Sequence, residues 1–253
     1  MSLTLSNGPL AADAALANFR IDGPAHRIHF ESDPRRFRAE LGGRTVLDTT
    51  RGALLHETGI LPVLYAPLED YDASLLTRSD HTTHCPFKGD ASYWHVGEVE
   101  NALWAYEQPL AGALWLSRYA ALYHHRMDRW LEEDEEVRGG LRDPYHRVDA
   151  RRSDRRVEVR LGGEVVARCE RPVLLFETGV PVRAYIPRDG LDLAATGERT
   201  HCPYKGEATT LSLRVGDRIL DGAAWSYEEP LDEARAIAGL VALQHDELEV
   251  TIA

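Results

Sequence analysis

The stretch Thr83-His84-Cys85-Pro86-Phe87-Lys88-Gly89 returns almost unchanged as Thr200-His201-Cys202-Pro203-Tyr204-Lys205-Gly206. A seven-residue string of mixed chemistry rarely repeats by accident, and further matches extend outward from it. Leu41-Gly42-Gly43 recurs as Leu161-Gly162-Gly163, Glu57-Thr58-Gly59 as Glu177-Thr178-Gly179, and Tyr65 as Tyr185, all with an offset of 120 residues. The chain is therefore two copies of one unit, each close to the usual size of a domain.

The repeat sets the domain boundaries within the 253 residues. We assign residues 1–23 to an N-terminal lead-in, residues 24–139 to the first domain and residues 140–253 to the second. An acidic run at residues 132–136, followed by Gly139-Gly140, marks the junction. We interpret the run as a solvated linker, because blocks of like charge are usually solvated.

Composition and charge exclude several classes of protein. The chain is 43% hydrophobic and 28% charged, and it has no run of the roughly 20 apolar residues that a membrane span needs, so we expect no membrane partner. The net charge of −12, from 29 basic and 41 acidic residues, disfavours nucleic acid as a partner, because phosphate binding needs a concentrated basic face. Three cysteines and no secretory signal pattern at the N-terminus favour the cytoplasm. The oligomeric state is left open.

Alternating apolar and polar residues predict β-strands in both copies. Phe37-Arg38-Ala39-Glu40-Leu41 and Thr45-Val46-Leu47 flank Gly42-Gly43, which is the pattern of a hairpin with a two-residue turn. Further strands are predicted before each Glu-Thr-Gly segment, around Tyr65 and Tyr185, and after each seven-residue motif. The total is five to eight short strands in each copy.

One helix is predicted late in each copy, over residues 110–123 and 231–243. Both segments are rich in Ala and Leu, and they follow Pro109 and Pro230, since proline suits the first turn of a helix. The sequence therefore predicts a mainly β protein made of two tandem domains of antiparallel sheets, each with one late α-helix.

The repeated motif, the Glu-Thr-Gly turn and the Trp-x-Tyr strands together resemble the bacterial DUF427 family, a domain of unknown function that is sometimes labelled a nucleotidyltransferase. The resemblance covers both copies, at roughly residues 24–139 and 144–253. It implies a β-tent fold, in which two antiparallel sheets lean together. Relatives in that fold class often bind zinc through paired Cys-x-x-Cys motifs, but this chain has none, so we expect no metal and no cofactor. The nucleotidyltransferase label gains no support, because no glycine-rich phosphate loop precedes the Lys-Gly pair.

The repeated polar and aromatic residues are the candidate site. A lysine, a histidine and a carboxylate brought together could bind a polar or anionic ligand and move a proton, although a salt bridge that fixes a loop explains the same residues equally well. Repeated aromatics on one strand face could wall a pocket, although they are more often core. The candidates are Glu57, Tyr65, His84, Cys85, Lys88, Trp94, Trp104 and Tyr106, with Glu177, Tyr185, His201, Cys202, Lys205, Trp225 and Tyr227 in the second copy.

The motif cysteines are predicted to be packed rather than nucleophilic. Cys85 precedes proline, which forces an extended backbone, so His84 and Cys85 should point to opposite faces. We expect Thr83 and Cys85 to share one face, and His84 to lie with Lys88 roughly on the other. Both Cys85 and Cys202 should therefore resist alkylation until the protein unfolds.

Two functions remain open at this stage. The first is a module that binds a small polar or planar ligand in an aromatic-walled pocket beside the motif. The second is an enzyme of the transferase or redox type that uses acid–base or thiol chemistry at the same residues. We expect the first copy to have the better site, because Trp94 and His56 correspond to Leu211 and Phe176 in the second copy.

Overall fold

The computed structural model describes residues 26–253, so the predicted lead-in at residues 1–23 lies outside the described part of the chain. That part divides into two compact units, one ending at Leu141 and the other spanning Arg142–Ala253. Both are mainly β, as predicted, and every strand pair in the two units is antiparallel. No helix among residues 26–253 is long and apolar enough to cross a membrane.

The first half contains a seven-stranded sheet, in the order β1-β4-β5-β9-β8-β7-β6, and a four-stranded sheet, in the order β11-β10-β2-β3. Its strands are β1 Ile28–Ser32, β2 Phe37–Leu41, β3 Arg44–Thr49, β4 Ala53–Glu57, β5 Ile60–Pro67, β6 Leu76–Cys85, β7 Gly89–Val96, β8 Val99–Ala105, β9 Tyr119–Leu122, β10 Arg129–Glu132 and β11 Glu135–Glu136. Four short 3₁₀ helices connect them, at Leu68–Asp70, Ala73–Leu75, Ala111–Leu116 and His124–Arg126.

The second half repeats this arrangement with a seven-stranded sheet, in the order β12-β15-β16-β20-β19-β18-β17, and a three-stranded sheet, in the order β14-β13-β21. Its strands are β12 Val148–Arg152, β13 Val157–Leu161, β14 Glu164–Cys169, β15 Val173–Glu177, β16 Val180–Ile186, β17 Asp192–Cys202, β18 Gly206–Val215, β19 Arg218–Ser226, β20 Val241–Leu243 and β21 Leu248–Ile252. One 3₁₀ helix, Asp232–Ile237, precedes β20.

The main core of each half lies between its two sheets. In the first half, Phe37 and Trp130 of the smaller sheet pack against Leu54 and Leu103 of the larger one, and all four are buried. The opposite face of each larger sheet carries a second apolar cluster, which is covered by the late 3₁₀ helix. Neighbouring residues on one strand therefore serve different clusters, because strand side chains alternate between faces.

The predicted glycine hairpin is confirmed. Leu41 pairs with Arg44 across Gly42-Gly43, and the two glycines have φ values of +58° and +72°. Both values lie in or near the left-handed region that two-residue turns of this kind require at their two central positions.

The predicted late α-helices are wrong in type and length. Each predicted helix is a 3₁₀ helix of six residues, and the remainder of each segment is a central strand, β9 or β20. Alanine favours helices in isolation, but tertiary context overrides that preference. Here Ala121 and Ala242 are fully buried at the centre of a sheet, and each lies between a tyrosine and a tryptophan of the neighbouring strands. Because β9, β20 and the short edge strands add to the total, each half has more strands than the predicted five to eight.

The acidic run at residues 132–136 is part of the first half and not a linker. It spans the end of β10 and all of β11 in the four-stranded sheet. Its carboxylates pair with arginines, since Glu132 contacts Arg35 and Asp134 contacts Arg38. The linker interpretation is wrong because the sequence does not show that β10 pairs with β2, which brings Arg38 and the preceding Arg35 beside the run.

Candidate functional site

The repeated seven-residue motif is the tip of a hairpin. Strand β6 ends at Cys85, β7 begins at Gly89, and the backbone N–H of Lys88 donates to the carbonyl of Cys85 at 3.3 Å. The carbonyl of Lys88 accepts from the N–H of Leu110 at 3.0 Å, which ties the turn to the start of the late 3₁₀ helix. The turn reverses the chain so that Lys88 points onto the face of the larger sheet.

The second half forms the same turn with matching hydrogen bonds. Lys205 donates its N–H to the carbonyl of Cys202 at 3.2 Å and accepts from the N–H of Leu231 at 3.1 Å. Gly206 has a φ of +93°, close to the +101° of Gly89. The motif therefore specifies a backbone shape, and both copies use this shape to present a lysine side chain.

Replacing Gly89 with alanine is expected to destabilise the first half by about 2 kcal/mol, because a φ of +101° lies beyond the left-handed region that residues with a Cβ tolerate. Gly42→Ala is the matched control, since its φ of +58° lies within that region and no atom stands within 4 Å of an added Cβ. We expect the control to lose about 1 kcal/mol. Urea unfolding of the two variants measures the difference, and equal losses would contradict the argument from φ.

The Glu-Thr-Gly segment fixes a histidine next to its glutamate. Thr58 and Gly59 form the turn between β4 and β5. The hydroxyl of Thr58 accepts a hydrogen bond from the backbone N–H of Arg27 at 3.0 Å. The backbone N–H of Thr58 donates to the carbonyl of Arg27, also at 3.0 Å. This double contact holds the chain just before β1, so that His26 lies beside Glu57.

A His–Glu–Lys cluster results in the first half. Nε2 of His26 lies 3.0 Å from Oε1 of Glu57, and Nζ of Lys88 donates to Oε2 of the same carboxylate. The side chains of Glu57 and Lys88 are only 6% and 7% exposed. The imidazole of His26 also stacks on Phe87 of the motif, with ring centres 3.6 Å apart.

The second half contains the same cluster from equivalent residues. Nε2 of His146 lies 3.1 Å from Oε1 of Glu177, and Nζ of Lys205 donates to Oε2 at 2.6 Å. Burial alone would raise the pKa of the Glu177 carboxyl, but hydrogen bonds from His146 and Lys205 outweigh it and lower the pKa to about 2. Glu177 is therefore a carboxylate at neutral pH.

An aromatic pair lies beside each cluster. In the larger sheet of the first half, Tyr65, Ala121 and Trp104 are in register on three adjacent strands. Because Ala121 is small, the indole N–H of Trp104 reaches across it and donates to the hydroxyl of Tyr65 at 3.1 Å. Tyr106, on the same face, has its ring centre 6.0 Å from Nζ of Lys88.

The second half repeats the pair through Ala242. The indole N–H of Trp225 donates to the hydroxyl of Tyr185 at 3.0 Å. Burial raises the pKa of Tyr185 to about 12, so the hydroxyl keeps its proton and can donate it to a bound molecule. The indole thus orients a hydroxyl on the face of the sheet.

A cavity of about 230 Å³ opens at this point in the second half. Its polar lining comes from Glu177, Arg183, Thr200 and Lys205. Its aromatic lining comes from Tyr185, Trp225 and Tyr227. Arg183 lies on β16 and places its guanidinium carbon 5.0 Å from the ring centre of Trp225. The cavity combines charged groups with flat aromatic surfaces, which is the usual make-up of a small-molecule site.

Most of the predicted site residues come together in each half. The first-half set is Glu57, Tyr65, Lys88, Trp104 and Tyr106, with Cys85 packed half-buried against the same apolar cluster. The second-half set is Glu177, Tyr185, Lys205, Trp225 and Tyr227, all lining the cavity. Cys202 is half-buried at the end of β17.

The motif histidines lie outside these sets. His84 is exposed, and its Nδ1 lies 2.6 Å from Oδ1 of Asp90 on the neighbouring strand. His201 is also exposed, on β17 opposite Glu207. The expectation that Lys88 shares a face with His84 is wrong, because the turn after Cys85 redirects the chain. The expectation for Thr83 and Cys85 is confirmed, since the hydroxyl of Thr83 lies 3.0 Å from that of Tyr93, in the cluster where Cys85 packs.

The residues said to favour the first copy do not face the site. Trp94 packs with the core between the sheets, as does its equivalent, Leu211. Its neighbour Tyr93 is the residue that faces the site. His56 is fully buried 3.3 Å from Glu31, on the opposite face of β4 from Glu57. Trp94 and His56 therefore give the first half no advantage at the site.

Three residues of the site were missed by sequence reasoning: His26, His146 and Arg183. The histidines carry a detectable signal, because they recur at the offset of 120 residues that relates Glu57 to Glu177. Arg183 has no such signal, since the equivalent residue is Val63. Among residues 26–253, no group of three His, Cys, Asp or Glu side chains is placed to hold a metal ion.

The fold and the cluster define a protein of two repeated, mainly antiparallel β domains, each with a buried His–Glu–Lys group on one sheet face. A comparison with protein-family models matches residues 29–133 and 149–253 to one family, described as Domain of unknown function (DUF427). The two matches cover most of the chain, which therefore belongs to this family as a tandem of two copies. No significant match was found among curated proteins.

Proposed function

We propose that each half is a cytoplasmic module that binds a small polar, planar molecule at its His–Glu–Lys cluster. The observation that carries the proposal is the cavity of the second half, where Lys205 and Glu177 meet two tyrosines and a tryptophan. The polar groups orient a ligand, and the aromatic rings supply flat apolar surface.

The energetics of the cluster support this proposal. Burying two charges loses hydration that their mutual attraction only partly restores, so a buried ion pair contributes little to stability compared with apolar residues of the same size. Both halves nevertheless contain the pair, with a histidine on the second carboxylate oxygen. A role in binding explains this arrangement better than a role in folding.

The size of the cavity limits the ligand. A volume of about 230 Å³ is below the usual range for drug-sized molecules, which begins near 300 Å³. It holds the volume of roughly eight liquid waters, or a ligand of about ten to twelve non-hydrogen atoms. We therefore expect a fragment-sized ligand, such as a single substituted ring.

Blocking the site in each half with a large side chain tests the proposal. Val180 lines the cavity, and Ile60 is its equivalent in the first half, so the double variant Ile60→Trp/Val180→Trp fills both sites. In a thermal-shift screen of fragments, a binder at about 100 times its Kd adds about 2.7 kcal/mol of stability to the wild type. We expect the double variant to lose this gain.

Ile219→Trp is the control for that experiment. Ile219 is 52% exposed on β19 and does not line the cavity, so the variant adds the same ring elsewhere. Fragments that stabilise the double variant as well as they stabilise the wild type would place binding outside both sites and overturn the proposal.

The cluster also supports a second candidate, an enzyme that uses acid–base chemistry. The favouring observation is the contact of each histidine with a carboxylate, which orients the imidazole as a proton carrier. Prolonged incubation with any binder from the screen, followed by NMR of the small molecule, separates the two candidates. An unchanged spectrum supports a binding module, whereas a product that disappears with Glu177→Gln supports an enzyme.

A further inference from the structure

We propose that the two sites differ in the charge that they select, and that Arg183 makes the second half specific for a planar anion. The proposal rests on the proposed function and deepens it for one site. The ligand class is a flat ring bearing a carboxylate or a similar acid group. The first half, in contrast, takes an uncharged ring.

Arg183 is placed to bind a ligand. It stands two residues before Tyr185 on β16, so the two side chains share one face, and both line the cavity. Its guanidinium lies 5.0 Å from the ring centre of Trp225, and one Nη donates to the side-chain oxygen of Gln244. That contact uses one of the five N–H groups of the guanidinium.

The charge of Arg183 is not matched by an acid. Within residues 26–253, no carboxylate lies within ion-pair distance of Arg183, although many other arginines of the chain contact one. The other cation of the cavity, Lys205, is committed to Glu177. Since Glu177 is ionised at neutral pH, the cavity carries one uncompensated positive charge, at Arg183.

The first half replaces this cation with neutral groups. Val63 occupies the position of Arg183, and Tyr123 occupies that of Gln244. The ring of Tyr123 packs against Trp104 with centres 4.5 Å apart, where the second half has the guanidinium over Trp225. The charges of Glu57 and Lys88 are paired with each other. Arg126 lies over the ring of Tyr123 at 4.7 Å, but its guanidinium donates to the backbone carbonyls of Glu100 and Asn101, so an anion gains less there than at Arg183.

The geometry suits a planar acid better than a free inorganic anion. A guanidinium binds a carboxylate through two parallel hydrogen bonds, and the acid then lies in the plane of the fork. A ring attached to that acid extends between Arg183 and the tyrosines of the cavity. A free inorganic anion can accept the hydrogen bonds of the guanidinium but has no ring to place against the tyrosines, so it should bind more weakly.

The test compares indole-3-carboxylate with its neutral isostere, indole-3-carboxamide, on the full-length protein. The indole N–H signals of Trp225 and Trp104 in NMR report on the second and first halves separately. At the Trp225 signal we expect the carboxylate to bind at least tenfold more tightly than the carboxamide. At the Trp104 signal we expect no preference for the carboxylate.

Three variants assign the preference to Arg183. Arg183→Val should remove the preference at Trp225, and Arg183→Lys should keep part of it, because the charge remains while the fork is lost. Val63→Arg/Tyr123→Gln should create a preference for the carboxylate at Trp104, which tests the proposal without altering the second half.

The outcomes separate the two claims. Equal binding of both probes at Trp225, unchanged by Arg183→Val, would overturn the charge selectivity and leave the proposed function standing. If neither probe moves either signal, and the fragment screen finds no binder that the double variant Ile60→Trp/Val180→Trp abolishes, both claims fall.

Discussion

Replacing Glu57 with leucine is expected to lower the free energy of unfolding of the first half by about 3–5 kcal/mol. The change leaves the ammonium of Lys88 buried at 7% exposure without its counter-charge, and His26 loses its carboxylate contact. Urea unfolding followed by tryptophan fluorescence measures the loss, because four of the five tryptophans lie in the first half.

Two variants show whether the loss comes from the unpaired charge. The double variant Glu57→Leu/Lys88→Met should recover to within about 1 kcal/mol of the wild type, because two packed apolar groups replace a buried ion pair at little net loss. Glu69→Leu removes a carboxylate from an exposed pair with Arg51 and should change stability by less than about 1 kcal/mol. If the double variant is as unstable as the single one, the carboxylate matters through packing and not through charge.

The second half is expected to lose about 3 kcal/mol of stability in acid through Glu177 alone. The pKa of Glu177 in the folded protein is about 2, below its ordinary value of 4.5. A group whose pKa falls on folding contributes stability that is fully present above its unfolded pKa. The contribution is then lost as the pH falls from about 4.5 to about 2.

The prediction is checked by comparing the wild type with Glu177→Gln. The stability advantage of the wild type in urea unfolding should be constant near pH 6 and should shrink as the pH falls below about 4.5, because only the wild type takes up the proton on unfolding. Glu249→Gln, on an exposed position of β21, should show no comparable trend. A midpoint near 4.5 in a ¹³C NMR titration of the Glu177 carboxyl would contradict the prediction.

The β architecture was predictable because it rests on local patterns. Alternation and paired glycines identify strands and turns without any knowledge of the rest of the molecule, as at Gly42-Gly43. The strands β9 and β20 were not predictable, because their alanines have high helix propensity. In β9, Ala121 is a strand residue because a small side chain fits between Tyr65 and Trp104 on the neighbouring strands. Those two strands are distant in sequence, so the segment itself carries no sign of this requirement.

The site was predictable in chemistry but not in placement. The repeats identified Glu57 and Lys88, and the structure joins them. Alternation says that His84 and Cys85, or Tyr93 and Trp94, face opposite ways, but it does not say which one faces the site. That choice depends on where the smaller sheet packs, and in the structure Trp94 and His84 lie away from the cluster. His26 was missed because it precedes the first strand, and its neighbour Arg27 is held in place by Thr58, 31 residues away.

The division of each larger sheet into a site face and a core face has a consequence for how a duplicated gene changes over time. The equivalent positions 63 and 183 hold valine and arginine, so the charge of this face differs between the copies, while the adjacent residues Leu64 and Ala184 pack between the sheets in both. Each copy can therefore acquire a new specificity by mutation at every second position without first unfolding. A duplicated domain of this kind can therefore diverge in the chemistry of one sheet face while both copies keep the same core.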